Sequence, residues 1–254
     1  VFLTPYQGNV VTTFDAGVWV EHALVADLSL AVTGAANAIF DVFCVAGASL
    51  EFSAAWASAI ARTDALALQD GKWVKSADHS RLYIGTIRCS ALNVTEDSRA
   101  KRFVWNASNR LPRALLRQET TATWIYALLA YRQANAAVAN RVEVVVGLTE
   151  ALLDLTVIGI FLSASAPSGI AIGEDSTTTP AADLIGQYTQ ANLSAATMAG
   201  HGTSRLVKFV PLGYHAYNWL EQSNSAAASV TFAGFRSPTI NTGIQSGLSG
   251  YVMA

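Results

Sequence analysis

Charge is scarce in this chain. Of its 254 residues only 13% are Asp, Glu, Lys or Arg, against a usual share of about 25%. Hydrophobic residues reach 52%, which excludes the disordered class, since that class combines low hydrophobicity with high net charge. So little polar material leaves an isolated globule poorly covered, and part of the surface is expected to be buried against other chains. The charges nearly cancel, at −2. No general pull toward nucleic acid or an anionic membrane follows from that balance, and neither is expected as a partner.

Cysteine is scarce too. Cys44 and Cys89 are too few for a disulfide framework and lie far apart in the chain. They read as two buried free thiols, with pairing across neighbouring strands as the alternative. No run of 18 apolar residues occurs; residues 151 to 166 come closest, and Asp154 and Thr156 interrupt them. The opening Val1-Phe2-Leu3-Thr4-Pro5 has no basic region, so neither a signal peptide nor membrane insertion is expected.

Catalytic signatures are missing as well. His22, His79, His201 and His215 stand alone, without the spacing of a metal site. There is no Gly-x-Ser-x-Gly elbow, Walker loop or Gly-x-Gly-x-x-Gly. Gly200-His201-Gly202 reads as a turn before a strand, and Glu96-Asp97-Ser98 and Glu174-Asp175-Ser176-Thr177 as caps and turns without calcium-loop spacing. The expectation is no enzyme, no cofactor and no metal. Asn93-Val94-Thr95, Asn106-Ala107-Ser108 and Asn192-Leu193-Ser194 fit the glycosylation triplet and are taken as chance matches.

What the chain does have is short β-type runs broken by turn residues. Residues 18 to 25 and 38 to 45 are rich in Val, Ile, Phe and Trp, and Asp70-Gly71 is a hairpin dipeptide. Arg81 to Cys89 alternates, with Leu82, Ile84 and Thr86 on one face. In the second half, Arg141 to Gly147 alternates as a half-buried strand should, whereas Leu152 to Leu162 is apolar on both faces and fits a central strand covered on both sides. A Gly, Ser and Thr-rich loop from Pro167 to Pro180 precedes further strands at 206–210, 213–221, 228–233 and 248–253. Between the halves, Thr95-Glu96-Asp97-Ser98 sits where a helix could begin, and Pro112 ends any helix over Arg99 to Asn109. The expected fold is all-β: an N-terminal β domain over 1–92, a short connecting helix and linker over 93–112, and a jelly-roll-like β-sandwich over 113–254.

Several stretches resemble tailed-bacteriophage virion proteins. They are Thr4-Pro5-Tyr6-Gln7-Gly8-Asn9, the block from Arg81-Leu82-Tyr83-Ile84-Gly85-Thr86-Ile87-Arg88 through Lys101-Arg102-Phe103-Val104-Trp105-Asn106 to Asn109-Arg110, and Tyr131-Arg132-Gln133-Ala134-Asn135. The resemblance implies a structural protein at the virion surface, of tail-fibre or head-decoration type. It also implies a homotrimer or other homo-oligomer, with other virion proteins as partners.

Two constellations are candidates for contact. Arg88, Arg99, Lys101, Arg102, Arg110 and Arg113 surround Phe103 and Trp105. Arg99, Arg102, Phe103, Trp105 and Arg110 are the candidate interface residues, because Arg and Trp anchor interfaces. The plainer reading has the rings in the core and the arginines paired with Glu96, Asp97 and Glu119. On a strand, His215, Tyr217, Trp219 and Glu221 project to one side. Such a row is a candidate platform for a host surface glycan, with rings against sugar C–H faces and the acid or imidazole taking hydroxyls. A buried sandwich core is the competing reading.

Overall fold

The computed structural model describes residues 1–6, 8–46, 48–164, 168–186, 200–223, 229–236 and 244–254. The triplet Asn192-Leu193-Ser194, together with Gln7, Gly47, Pro167 and Ala228, lies outside them. Regular structure is β throughout: apart from one 3-10 turn at Ala134–Ala136, every element among the described residues is a strand.

The first half is built on one long strand, Asp78–Ala91, paired on one side with Ile39–Val45 and on the other with Lys72–Lys75 and Val104–Asn106. Ser49–Phe52 and Leu66–Gln69 form the two edges. The Asp70-Gly71 dipeptide makes the expected hairpin: both residues hold positive φ, at 51° and 80°, the conformation a two-residue turn of matching twist requires. A second hairpin, Val10–Asp15 with Val18–Ala23, packs beside the long strand. Cys44 lies opposite Leu82, and Cys89 falls seven residues further along the same strand. At roughly 3.3 Å per residue that is about 23 Å, so the two buried thiols are free. Burial lifts the Cys44 thiol to about 11.

The second half is a sandwich whose consecutive long strands alternate between two sheets. One sheet holds Pro112–Gln118, Gly247–Met253, Leu152–Ala164 and Gly200–Phe209 in that order. The other holds Arg141–Val146, Gly213–Ser223 and Ser168–Glu174. Pairing is nested: the first strand with the last, Arg141–Val146 with Gly213–Ser223, and Leu152–Ala164 with Gly200–Phe209. Nested pairing with alternation between sheets is the jelly-roll arrangement.

The connecting helix expected over 93–112 is absent. That segment instead holds the short strands Val94–Thr95, Lys101–Arg102 and Val104–Asn106. Phe103 and Trp105, each 1% exposed, stand two residues apart and enter the core together, which is strand periodicity rather than helical. Ser98 turns the chain by accepting from the Lys101 amide, and Thr95 Oγ1 donates to the Arg88 carbonyl rather than capping a helix. Lys101–Arg102 joins the second-half sheet while Val104–Asn106 joins the first-half sheet. The segment is therefore a stitch between sheets.

One hydrophobic cluster runs through both halves, joining Phe43, Tyr83 and Trp105 to Val142, Val144, Tyr217 and Trp219. Arg141–Val146 is accordingly buried on both faces and not half-buried as its alternation suggested. The reason is close approach at Gly147, where a Cβ would collide with the Tyr83 hydroxyl and the Trp105 ring. Deep in this junction Asp41, fully buried, takes Arg62 Nε at 2.7 Å and Thr86 Oγ1 at 2.7 Å. The Arg62 guanidinium lies 4.7 Å from the centre of the Trp56 ring and also donates to the Gly147 carbonyl.

Candidate assembly surface

The row His215, Tyr217, Trp219 and Glu221 shares one face of Gly213–Ser223, as read from the sequence, but that face looks into the sandwich. Tyr217, Trp219 and Glu221 are fully buried and His215 is 5% exposed. Gly213–Ser223 is flanked on both edges and its inner side meets the opposite sheet. Trp219 packs edge-on against Trp124 with centroids 6.0 Å apart. Tyr217 donates to Glu174 Oε1 at 3.1 Å, and burial holds its hydroxyl pKa far above that of a free tyrosine. His215 Nδ1 lies 2.7 Å from Asp175 Oδ2. Burial pulls the Asp175 carboxyl upward, but the bonds from His215 and the Ala216 amide outweigh it and leave its pKa lowered. Glu221 receives Trp124 Nε1 at 2.6 Å, Arg132 Nε at 2.8 Å and the Asn135 amide at 3.1 Å. Burial nonetheless raises its pKa. No sugar reaches these groups, so the row is core and not a glycan platform. Trp219→Ala is expected to cost about 3–5 kcal/mol of folding stability, measured as a drop in denaturant midpoint; an unchanged midpoint would mean the ring is not core.

The basic stretch also turns inward. Phe103 and Trp105 are core, which removes them as contact residues for another chain. Arg102 donates to Asp97 Oδ1 at 3.0 Å and, through two nitrogens, to the Ala114 carbonyl. Arg110 pairs with Glu150 at 2.7 Å, Arg113 with Asp97, and Lys101 with Glu96 at 3.1 Å. Glu119 takes amides instead, from Asn135, Asn140, Thr120 and Thr121. Of the five candidate interface residues only Arg99 is exposed.

A different surface remains open. The central strand Leu152–Ala164 turns Leu153, Leu155 and Val157 into the core. Its other face carries Leu152, Asp154, Thr156 and Ile158. Register places Phe209 opposite Leu152, Val207 opposite Asp154, Arg205 opposite Thr156 and Thr203 opposite Ile158. On the far side Tyr251 stands opposite Asp154 and Ser249 opposite Thr156, while Ile185 extends the face beyond Arg205. Ile158, Val207, Phe209 and Ile185 are 41%, 45%, 65% and 78% exposed. Among them lies one ion pair, Arg205 to Asp154, with bonds of 2.9 and 2.6 Å. These bonds hold the Asp154 carboxyl below its usual range.

The sequence had suggested a strand covered on both sides. Among the described residues nothing covers the outer one. Exposed large side chains thus share this sheet face with an ion pair set among them, which makes it a candidate contact surface. Recognising this patch from sequence requires the register of four strands; only the apolar outer positions of the Leu152 strand hinted at it.

No helix among the described residues is long and apolar enough to cross a membrane. No protein-family model matches the chain, and no curated protein matches it in sequence.

Proposed function

We propose that this chain is a non-enzymatic structural module of a tailed-phage particle, forming part of a surface projection by packing against copies of itself. The observation that carries the self-packing is the uncovered outer face of the Leu152 strand, with Phe209, Val207, Ile158 and Ile185 exposed upon it. The occupant is a second copy of this chain. Asp154 and Arg205 cancel on that face, so it does not repel its own image, and both charges can be shared across a symmetric contact. A chain with only 13% charged residues is suited to an assembly that hides part of its surface. The virion setting rests on the sequence resemblance alone.

A non-catalytic role is supported by the two most deeply buried carboxylates, Asp41 and Glu221. Their oxygens are taken by arginine, hydroxyl, indole and amide donors of the same chain. Groups so engaged brace a fold rather than meet a substrate. Light scattering on the purified protein at micromolar concentration tests the self-assembly: a mass that is a multiple of the chain's is expected, and a stable monomer would overturn it.

A further inference from the structure

A groove in the first half is built quite differently from the apolar face. A cleft of about 590 Å³ opens between the two hairpins, the 107–110 loop and Glu150 of the second half. That volume lies within the range of small-ligand sites, roughly 300–1,000 Å³, which favour junctions between structural units. A second cleft of about 220 Å³ shares Val10, Val11, Leu82 and Ser108 with it and runs on to Thr4, Pro5 and Tyr6. The two clefts adjoin along that shared wall, offering more room than a single sugar ring needs.

Its polar groups are held in place before any ligand arrives. Lys72, delivered by the Asp70-Gly71 turn, donates to Thr12 Oγ1 and sits 4.7 Å from the centre of the Trp19 ring. Arg110 is fixed by Glu150 at 2.7 Å and by the Trp105 ring, 5.5 Å from its guanidinium. Asn106 Oδ1 accepts from the amides of Ser108 and Asn109 at 2.9 and 2.8 Å, which sets the loop that presents Ser108 and Arg110. The half-buried Trp73 supplies an aromatic wall. Immobilised polar groups and rings reduce the ordering cost of binding.

We propose that this groove binds an acidic oligosaccharide. Lys72 and Arg110 take its carboxylates, Thr12, Ser108 and Glu150 its hydroxyls, and Trp73 a sugar C–H face. Two cations against one carboxylate give the groove a positive bias in a chain of net charge −2. A nucleic-acid strand would call for a run of cations along the backbone and no opposing carboxylate. The site lies on other strands than the uncovered sheet face, so it stands or falls independently of self-assembly.

The test is calorimetric titration with acidic hexasaccharides, one of galacturonate and one of alternating glucuronate, beside uncharged maltohexaose, at low salt. At least one acidic hexamer is expected to bind more tightly than the neutral one. Lys72→Ala should weaken it about tenfold, the effect of one charge-assisted hydrogen bond, while Lys72→Arg retains it and neither variant shifts the melting temperature. Absence of binding by both acidic hexamers, or binding that Lys72→Ala leaves unchanged, overturns the proposal. A single-stranded oligonucleotide that binds more tightly than either hexamer also overturns it.

Discussion

Phe209→Asp is expected to turn the assembly into single chains without disturbing the fold. In the isolated chain the Phe209 ring is 65% exposed, and substitutions at such positions usually move stability by less than about 0.5 kcal/mol. At a contact between copies the same ring contributes about 1.5–3 kcal/mol by leaving water. The replacement also brings a carboxylate that must be desolvated, beside Asp154 of its own sheet, one strand over and one pair along. Even the lower part of that range, counted once on each side of a symmetric contact, weakens association by at least about a hundredfold. Light scattering would read a single-chain mass, while circular dichroism and melting temperature stay at their original values. An unchanged mass would show that the copies meet elsewhere; a collapsed spectrum would show that Phe209 belongs to the fold.

Asp41→Ala should produce the largest loss of stability from any single charge deletion. Asp41 is fully buried and its two oxygens engage Arg62 and Thr86. Removing the carboxylate strands the Arg62 guanidinium between the Trp56 and Tyr83 rings, with the Gly147 carbonyl its main remaining acceptor. Breaking a buried pair in this way costs about 3–5 kcal/mol, a large part of the roughly 5–15 kcal/mol that holds a typical domain together. Because Arg62 reaches Gly147 in the second half, the loss should loosen the junction between halves. Chemical denaturation should show a lower midpoint. The double variant Asp41→Leu with Arg62→Met should be less destabilised than the sum of the single changes, since it leaves no orphaned charge. Additive losses would mean that the pair is not coupled.

These buried contacts explain how far the sequence could be read. Alternation at Arg81 to Cys89 and at Arg141 to Gly147 and the Asp70-Gly71 turn marked strands and a hairpin correctly, because β periodicity is a local property. Phe103 and Trp105 carried the same period of two, but the acidic-hydroxyl run before them and the arginines around them suggested a helix. Those acids are spent on ion pairs with Lys101, Arg102 and Arg113. The row from His215 to Glu221 does lie on one side of a strand. Periodicity tells which residues share a face, yet not whether that face meets water or another sheet. The answer sits in partners such as Trp124 and Arg132, 97 and 89 positions away. The uncovered patch was legible only on the Leu152 strand, since Val207, Phe209 and Ile185 join it through pairing register. The groove at Lys72 and Arg110 depends on strands and loops brought together from five parts of the chain, and no local pattern announces it.

A second copy of this chain is proposed to cover the outer face of the Leu152 strand. Electron microscopy of the purified assembly at side-chain resolution tests it directly. The expected map places Phe209, Val207 and Ile158 within about 4 Å of a neighbouring copy, the distance of apolar contact, with the Asp154–Arg205 pair at the same seam. A map in which that face looks into solvent while the copies join through other strands would contradict it.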